Sequence, residues 1–144
     1  MTHKVICAGL DNKLSQVIEF FAKFKIQHLP VIDDKKIVGV ISVNDILRFM
    51  NEHLQKSETI TCGYLDKTFS LENVMTKNPV TMSPEDPIEK AFTLLAPGNF
   101  QCIIVAENDV ISGIITNKDL VRYHVTGFNT DYDNFTIGAP GFGI

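Results

Sequence analysis

The chain has 144 residues, of which 44% are hydrophobic and 21% charged, with ten Phe and no Trp: the composition of a folded globular protein, not of a fibrous, disordered or disulfide-stapled one. A formal net charge of −4 speaks against a nucleic-acid binder, because affinity for a phosphate backbone comes from clustered Lys and Arg. The unbroken apolar runs are a few residues long, far short of the roughly 20 that span a bilayer, and the first residues lack a signal-peptide core, so a cytoplasmic protein without a membrane partner is expected.

Taken from the N-terminus, Val5-Ile6-Cys7 reads as a short extended segment. Leu14, Val17, Ile18 and Phe21 then recur at helical spacing, with Phe20 and Phe24 widening the apolar face. Leu29-Pro30-Val31-Ile32 reads as a strand, Asp33 to Lys36 as a polar hairpin turn, Ile37 to Ile41 as the returning strand, and Ile46 to Leu54 as a helix. Residues 55–74 are more polar, with Thr59 to Cys62 expected to be briefly extended and Ser70 to cap a helical turn over 71–74. Thr81-Met82 is extended. Asp86 is expected to N-cap a helix with Pro87 at its first position and Glu89 at capping-box spacing, and Pro97-Gly98 ends that helix. Strands follow at Cys102–Val105 and Val110–Ile115 around the turn Glu107-Asn108-Asp109, then a helix from Leu120 to Val125. The tail, 127–144, is rich in Gly, Asn, Asp and aromatics; it reads as a poorly ordered end or as a cover in which Phe128, Tyr132, Phe135 or Phe142 meets an apolar surface.

The second series of elements repeats the first. At an offset of 74 residues, and without a gap, Met1 meets Met75, Gln27 meets Gln101, Gly39 meets Gly113, Asp45 meets Asp119 and Arg48 meets Arg122. Two β-α-β-β-α repeats follow, an α+β fold divided as 1–54 and 75–126, with a linker over 55–74 and the tail after 126. Each repeat alone is too small to bury a sufficient core, so the two are expected to pack sheet to sheet around a pseudo-twofold axis, leaving two related clefts.

Each repeat carries one conspicuous junction, Gly39-Val40-Ile41-Ser42-Val43-Asn44-Asp45 and Gly113-Ile114-Ile115-Thr116-Asn117-Lys118-Asp119, where a buried strand runs into a helix through a hydroxyl and a carboxylate. Ser42-x-x-Asp45 and Thr116-x-x-Asp119 match a capping box, which alone would explain both copies. The same groups have another capacity, since a carboxylate can accept two hydroxyl hydrogen bonds and a helix N-terminus favours an anion. Cys7, Cys62 and Cys102 are odd in number and widely spaced, and His3, His28, His53 and His124 are scattered, so neither a disulfide framework nor a metal site is expected. No P-loop, G-x-S-x-G or H-E-x-x-H pattern suggests an enzyme, and no cofactor is expected.

The duplicated Gly-apolar-apolar-Ser/Thr-x-x-Asp pattern, with Leu29-Pro30-Val31-Ile32-Asp33 ahead of its first copy, resembles a tandem pair of CBS (cystathionine-β-synthase) domains over nearly the whole chain. The resemblance implies a regulatory module that binds an adenosine-containing ligand (AMP, ADP, ATP or S-adenosylmethionine) between the repeats, forms a homodimer, and acts on a partner enzyme or transporter. By the family's pattern Asp45 and Asp119 would hold ribose, with Ser42 and Thr116 binding ribose or phosphate beside them. Adenine would lie against Thr81, Met82, Ile103 and Ile104 in one cleft and against Cys7, Ala8, Leu29 and Pro30 in the other. Lys118, where the first repeat has Asn44, favours the Asp119 cleft for an anionic ligand. His28 is the titratable group among the positions that carry phosphate-binding cations in nucleotide-binding relatives; Gln27, Gln101 and Cys102 are neutral, which argues against a triphosphate. The competing reading is a dimerisation or interaction module whose clefts are filled by its own side chains.

Overall fold

The computed structural model describes residue 1, residues 4–54 and residues 61–126. The expectations for Thr59, for the tail over 127–144 and for its aromatics lie outside the described residues.

The first half contains β1 (Ala8–Gly9), α1 (Leu14–Phe24), β2 (His28–Asp33), β3 (Lys36–Ser42) and α2 (Val43–Leu54). A short helix α3 (Cys62–Thr68) and a 3-10 turn (Leu71–Asn73) lead to β4 (Thr76–Lys77). The second half repeats the series as β5 (Thr81–Met82), α4 (Ile88–Leu95), β6 (Cys102–Glu107), β7 (Val110–Thr116) and α5 (Asn117–Thr126).

Pairing follows the repeat to the residue. β1 runs parallel to β2 with Ala8 opposite Val31, and β5 runs parallel to β6 with Met82 opposite Val105, the same pair 74 positions on. The antiparallel hairpins match likewise: Val31 faces Gly39 as Val105 faces Gly113, and each ladder is interrupted by a bulge just after that pair. Both hairpins turn on two residues with positive φ, Asp34 and Lys35 in the first and Asn108 and Asp109 in the second. That backbone suits the twist of paired strands, and Asn and Asp tolerate it better than most residues. β3 and β7 are in contact across the pseudo-twofold axis.

Sequence and structure differ in several places, among them β4, which the sequence pattern does not predict, and the starts of α2 and α5, which come three residues earlier than expected. The first strand is Ala8–Gly9, not Val5–Cys7, because its ladder forms where the chain comes alongside Val31 and Ile32. Cys62 begins helix α3, with Thr61 as its N-cap accepting from the Tyr64 N–H at 3.1 Å. Its neighbours bury Leu65, whose side chain needs the helical turn to face α1. At the start of α4 the N-cap position is Pro87, in extended backbone; Asp86 instead accepts from the Ser83 N–H at 2.8 Å and from Lys90 Nζ at 2.7 Å. Pro97-Gly98 ends the helix as expected, with Gly98 at φ +79.

Two cores result. The first unites Leu14, Val17, Leu29, Val31 and Ile41 with residues that follow α2, namely Leu65, Leu71, Val74 and Met75. The second joins Met82, Ala91, Leu95, Ile103, Val105, Ile115 and Leu120, and Met1 packs against it. The first residue of each repeat, Met1 and Met75, therefore packs against the other repeat, and β4 completes the first sheet by pairing with β3.

Candidate functional site

At the first junction β3 delivers Ser42 directly to the start of α2. The Ser42 N–H and Oγ–H both donate to Asp45 Oδ2 at 2.8 Å, and the Asp45 N–H donates back to Ser42 Oγ at 3.0 Å. This is a complete capping box, which ties up backbone donors that the helix leaves free. Asp45 Oδ1 lies 3.7 Å from Arg48 one turn along. At the second junction the Thr116 N–H and Oγ1–H donate to Asp119 Oδ2 at 2.8 and 3.1 Å. Thr116 and Asp119 are each only 5% exposed and are the buried polar side chains among the described residues.

Asp45 lines a cleft of about 360 Å³ between the halves. His28, Ser42, Asn44 and Arg48 line it from the first half, and residues 78–80 and 98–102 from the second. Register explains the cluster: His28 is the cross-strand partner of Ser42, so the two side chains share a face beside Asp45. Gln101 reaches across from the other half, its Oε1 lying 3.4 Å from His28 Nε2 and 3.5 Å from Asn44 Nδ2. With Nε2–H donating to Gln101, His28 Nδ1 is a bare acceptor; it is buried without a partner. Burial pushes the imidazole pKa below its usual value, against opposing contributions from the Gln101 hydrogen bond and the Asp45 charge. Cys102, also in the cleft, has its thiol pushed up to about 12, by burial first and by the Asp45 charge second. Both groups are neutral at physiological pH.

The remaining residues singled out from the sequence lie elsewhere. Ala8 and Leu29 are in the first core, Met82 and Ile103 in the second, and Pro30 and Ile104 are fully buried. Thr81 is exposed on β5. Cys7 is half-buried, its thiol pKa raised by burial. Lys118 is exposed on the first turn of α5. Reasoning within one repeat missed Asn78, Asn99 and the approach of Gln101 to Asp45. The signal that finds Asn78 is the exchange of leading segments, which carries Thr76 and Lys77 onto the first sheet. A second cavity, about 520 Å³, lies between α4 and α5, lined by Phe92, Leu95, Leu120, Val121 and Val125 among others. Among the described residues no helix is long and apolar enough to cross a membrane, and no group of three His, Cys, Asp or Glu is placed to hold a metal ion.

Comparison with known proteins accounts for this architecture. A family profile for the CBS domain matches residues 1–52 and again 71–126. The chain belongs to the CBS domain family. Among solved structures, this CBS pair superposes on CBSX2 in complex with AMP with a TM-score of 0.70 and 29% identity, covering 87% of this chain and 92% of that one. The CBS domain pair of MJ0100, in complex with 5′-methylthioadenosine and S-adenosyl-L-methionine, shares the fold at a TM-score of 0.70 and 22% identity, covering 87% and 91%. In sequence, the uncharacterized protein MJ1225 of Methanocaldococcus jannaschii is 25% identical over 125 residues, 85% of this chain. The chain spans 45% of the length of MJ1225 and 42% of MJ0188 from the same organism. Some relatives are enzymes that contain a matching segment, such as an inosine-5′-monophosphate dehydrogenase of Mycobacterium leprae, 30% identical over 85% of this chain but only 21% of that protein.

Proposed function

We propose that this CBS pair is a cytoplasmic regulatory module that binds an adenosine-containing ligand between its repeats, with Asp45 and Asp119 accepting hydrogen bonds from the ribose hydroxyls. The observation that carries the reading is the Asp45 cleft: a carboxylate oriented by Ser42 lines a cavity built from both halves, beside Arg48 and among His28, Asn44 and Gln101. Such a cleft is concave and sized for one small molecule, with few convergent polar groups. CBSX2 holds AMP, and MJ0100 holds 5′-methylthioadenosine and S-adenosylmethionine, in the same fold. The capping role of each Asp is compatible with this, since the Ser42 and Thr116 hydrogen bonds engage Oδ2 and orient the other oxygen.

The repeats divide as 1–54 and 75–126, joined by 55–74, and the module works as a homodimer that acts on a partner enzyme or transporter. Dimerisation is supported by the exposed apolar side chains of each repeat's last helix, Leu47 on α2 and, lining the α4/α5 cavity, Val121 and Val125 on α5. The pair itself performs no catalysis. A ligand clamps the halves, and the dimer shifts toward whichever geometry binds that ligand better, since only differential affinity can drive such a change.

A thermal-shift panel of AMP, ADP, ATP and S-adenosylmethionine tests the reading. A ligand at about 100 times its dissociation constant adds about 2.7 kcal/mol of stability, and replacing both carboxylates (Asp45→Ala with Asp119→Ala) abolishes the shift. A flat panel, or a shift that survives the double replacement, refutes it.

A further inference from the structure

The cavity of about 520 Å³ between α4 and α5 has no part in the adenosine reading. Phe92 and Leu95 of α4 and Leu120, Val121 and Val125 of α5 line it. Val121 is 63% exposed and Val125 76%, so the last turns of α5 hold two apolar side chains outward where a solvated helix face carries polar ones. An apolar face that adjoins a cavity marks a surface that something covers. The first half shows where such a cover comes from. The chain that leaves α2 turns back on the helices it has just completed: Leu65 of α3 is buried in the first core, Phe69 meets Phe49 of α2 edge-on with ring centroids 4.6 Å apart, and Asp66 accepts from the Ser15 N–H at the start of α1. The chain that leaves α5 is 127–144, and at the 74-residue offset α3 falls on 136–142. That segment carries Phe128, Tyr132, Phe135 and Phe142, and its charged side chains are Asp131 and Asp133, opposite in sign to Lys118 and Arg122 of α5.

We infer that residues 127–144 fold back onto their own α4 and α5 and seat aromatic side chains in the cavity between them. The segment begins just past Val125, so it is tethered at the cavity's rim. A tethered segment meets its site at an effective concentration in about the mM range. Aromatic rings suit the task, because each buries about 150–250 Å² while only two side-chain torsions are fixed. Gly138, Pro140 and Gly141 stand where α3 has Tyr64, Asp66 and Lys67, so what carries over from the first half is the return of the chain, not the helix or its contacts. A second copy competes with the tail for Val121 and Val125, whereas Leu47 on α2 stays open to it. The inference is independent of the adenosine reading.

Limited digestion of the full chain with chymotrypsin, read by mass spectrometry, tests it. The enzyme cuts after Phe and Tyr, and the rate follows the population in which the segment is undocked. The cut after Tyr132 is expected to be slow in the unaltered protein and about tenfold or more faster in Val121→Asp with Val125→Asp. Both substitutions are at exposed positions, and an unchanged circular dichroism spectrum confirms the fold. From the tail's side, Phe128→Ser, Phe135→Ser and Phe142→Ser together speed the same cut by a similar factor, with no change to the helices. The slow rate in the unaltered protein persists on dilution, since the contact is within one chain. Equal rates in the unaltered protein and the Val121, Val125 variant overturn the inference. Protection that fades on dilution overturns it too and assigns the cavity to a second copy. No nucleotide enters these measurements, so this inference and the adenosine reading can each fail alone.

Discussion

His28 shows how one residue's surroundings set its chemistry. It lines the cleft together with Asp45, Gln101 and Cys102, where a carboxylate would ordinarily favour the charged imidazolium. Burial outweighs that attraction and lowers the pKa, because protonating Nδ1 would place an N–H where no acceptor faces it. The folded-state pKa thus lies below the unfolded value of about 6.5. Above pH 6.5 the group has no effect on stability; as pH falls below it the unfolded chain takes up the proton first and stability declines, until the folded pKa is also passed. Melting temperatures between pH 7 and pH 5, both about the range where His titrates, are expected to fall in the wild type and to fall less in His28→Gln. Equal slopes would show that His28 is not the buried neutral group described. The lowered pKa values of Asp66 and Asp86, set first by hydrogen bonds from Ser15 and Lys90 respectively, act below 3.8 and leave this window clear. The sequence singled out His28 but offered no sign of Gln101 or Cys102 beside it, because those contacts cross between halves.

At the scale of elements, α1, the two long hairpins and α4 were legible from periodicity, since the apolar stripe of α1 and the pattern of β2 and β3 depend on neighbours in the chain. What was not legible depends on partners far away. Helix α3 illustrates this: Asp66 accepts from the Ser15 N–H at 2.9 Å and from its Oγ–H at 2.6 Å, so a segment that reads as polar linker caps the first turn of α1. Nothing local in Cys62–Thr68 announces that role. Gly39, the opening residue of the motif, has a reason of the same kind. A Cβ there would come within 2.5 Å of Met75 Sδ and 3.0 Å of the Thr76 carbonyl oxygen, because β4 pairs beside Gly39 and the preceding Met75 lies against it. Gly39→Ala is expected to destabilise the protein by about 1–3 kcal/mol through overpacking, read as a lowered urea midpoint. A midpoint unchanged from wild type would mean that Met75 does not pack tightly against Gly39.

For the whole molecule, the 74-residue offset disclosed the duplication, the α+β class and the pairing of the two Asp junctions. It did not disclose that Met1 and Met75 pack against opposite repeats, an exchange that ties the halves together and decides which side chains meet in each cleft. The apolar residues Ala8, Leu29, Met82 and Ile103 sit in the two cores, and Asn78, Asn99 and Gln101 from the opposite half line the Asp45 cleft. The account stands on one claim, that the junction carboxylates bind ribose. It is tested most directly by calorimetry comparing AMP with 2′,3′-dideoxy-AMP, on the unaltered protein and on the protein lacking both carboxylates. The account predicts that removing the two hydroxyls weakens binding to the unaltered protein by about tenfold or more, and that the double replacement binds both compounds equally poorly. Equal binding of AMP and its dideoxy analogue by the unaltered protein would contradict it.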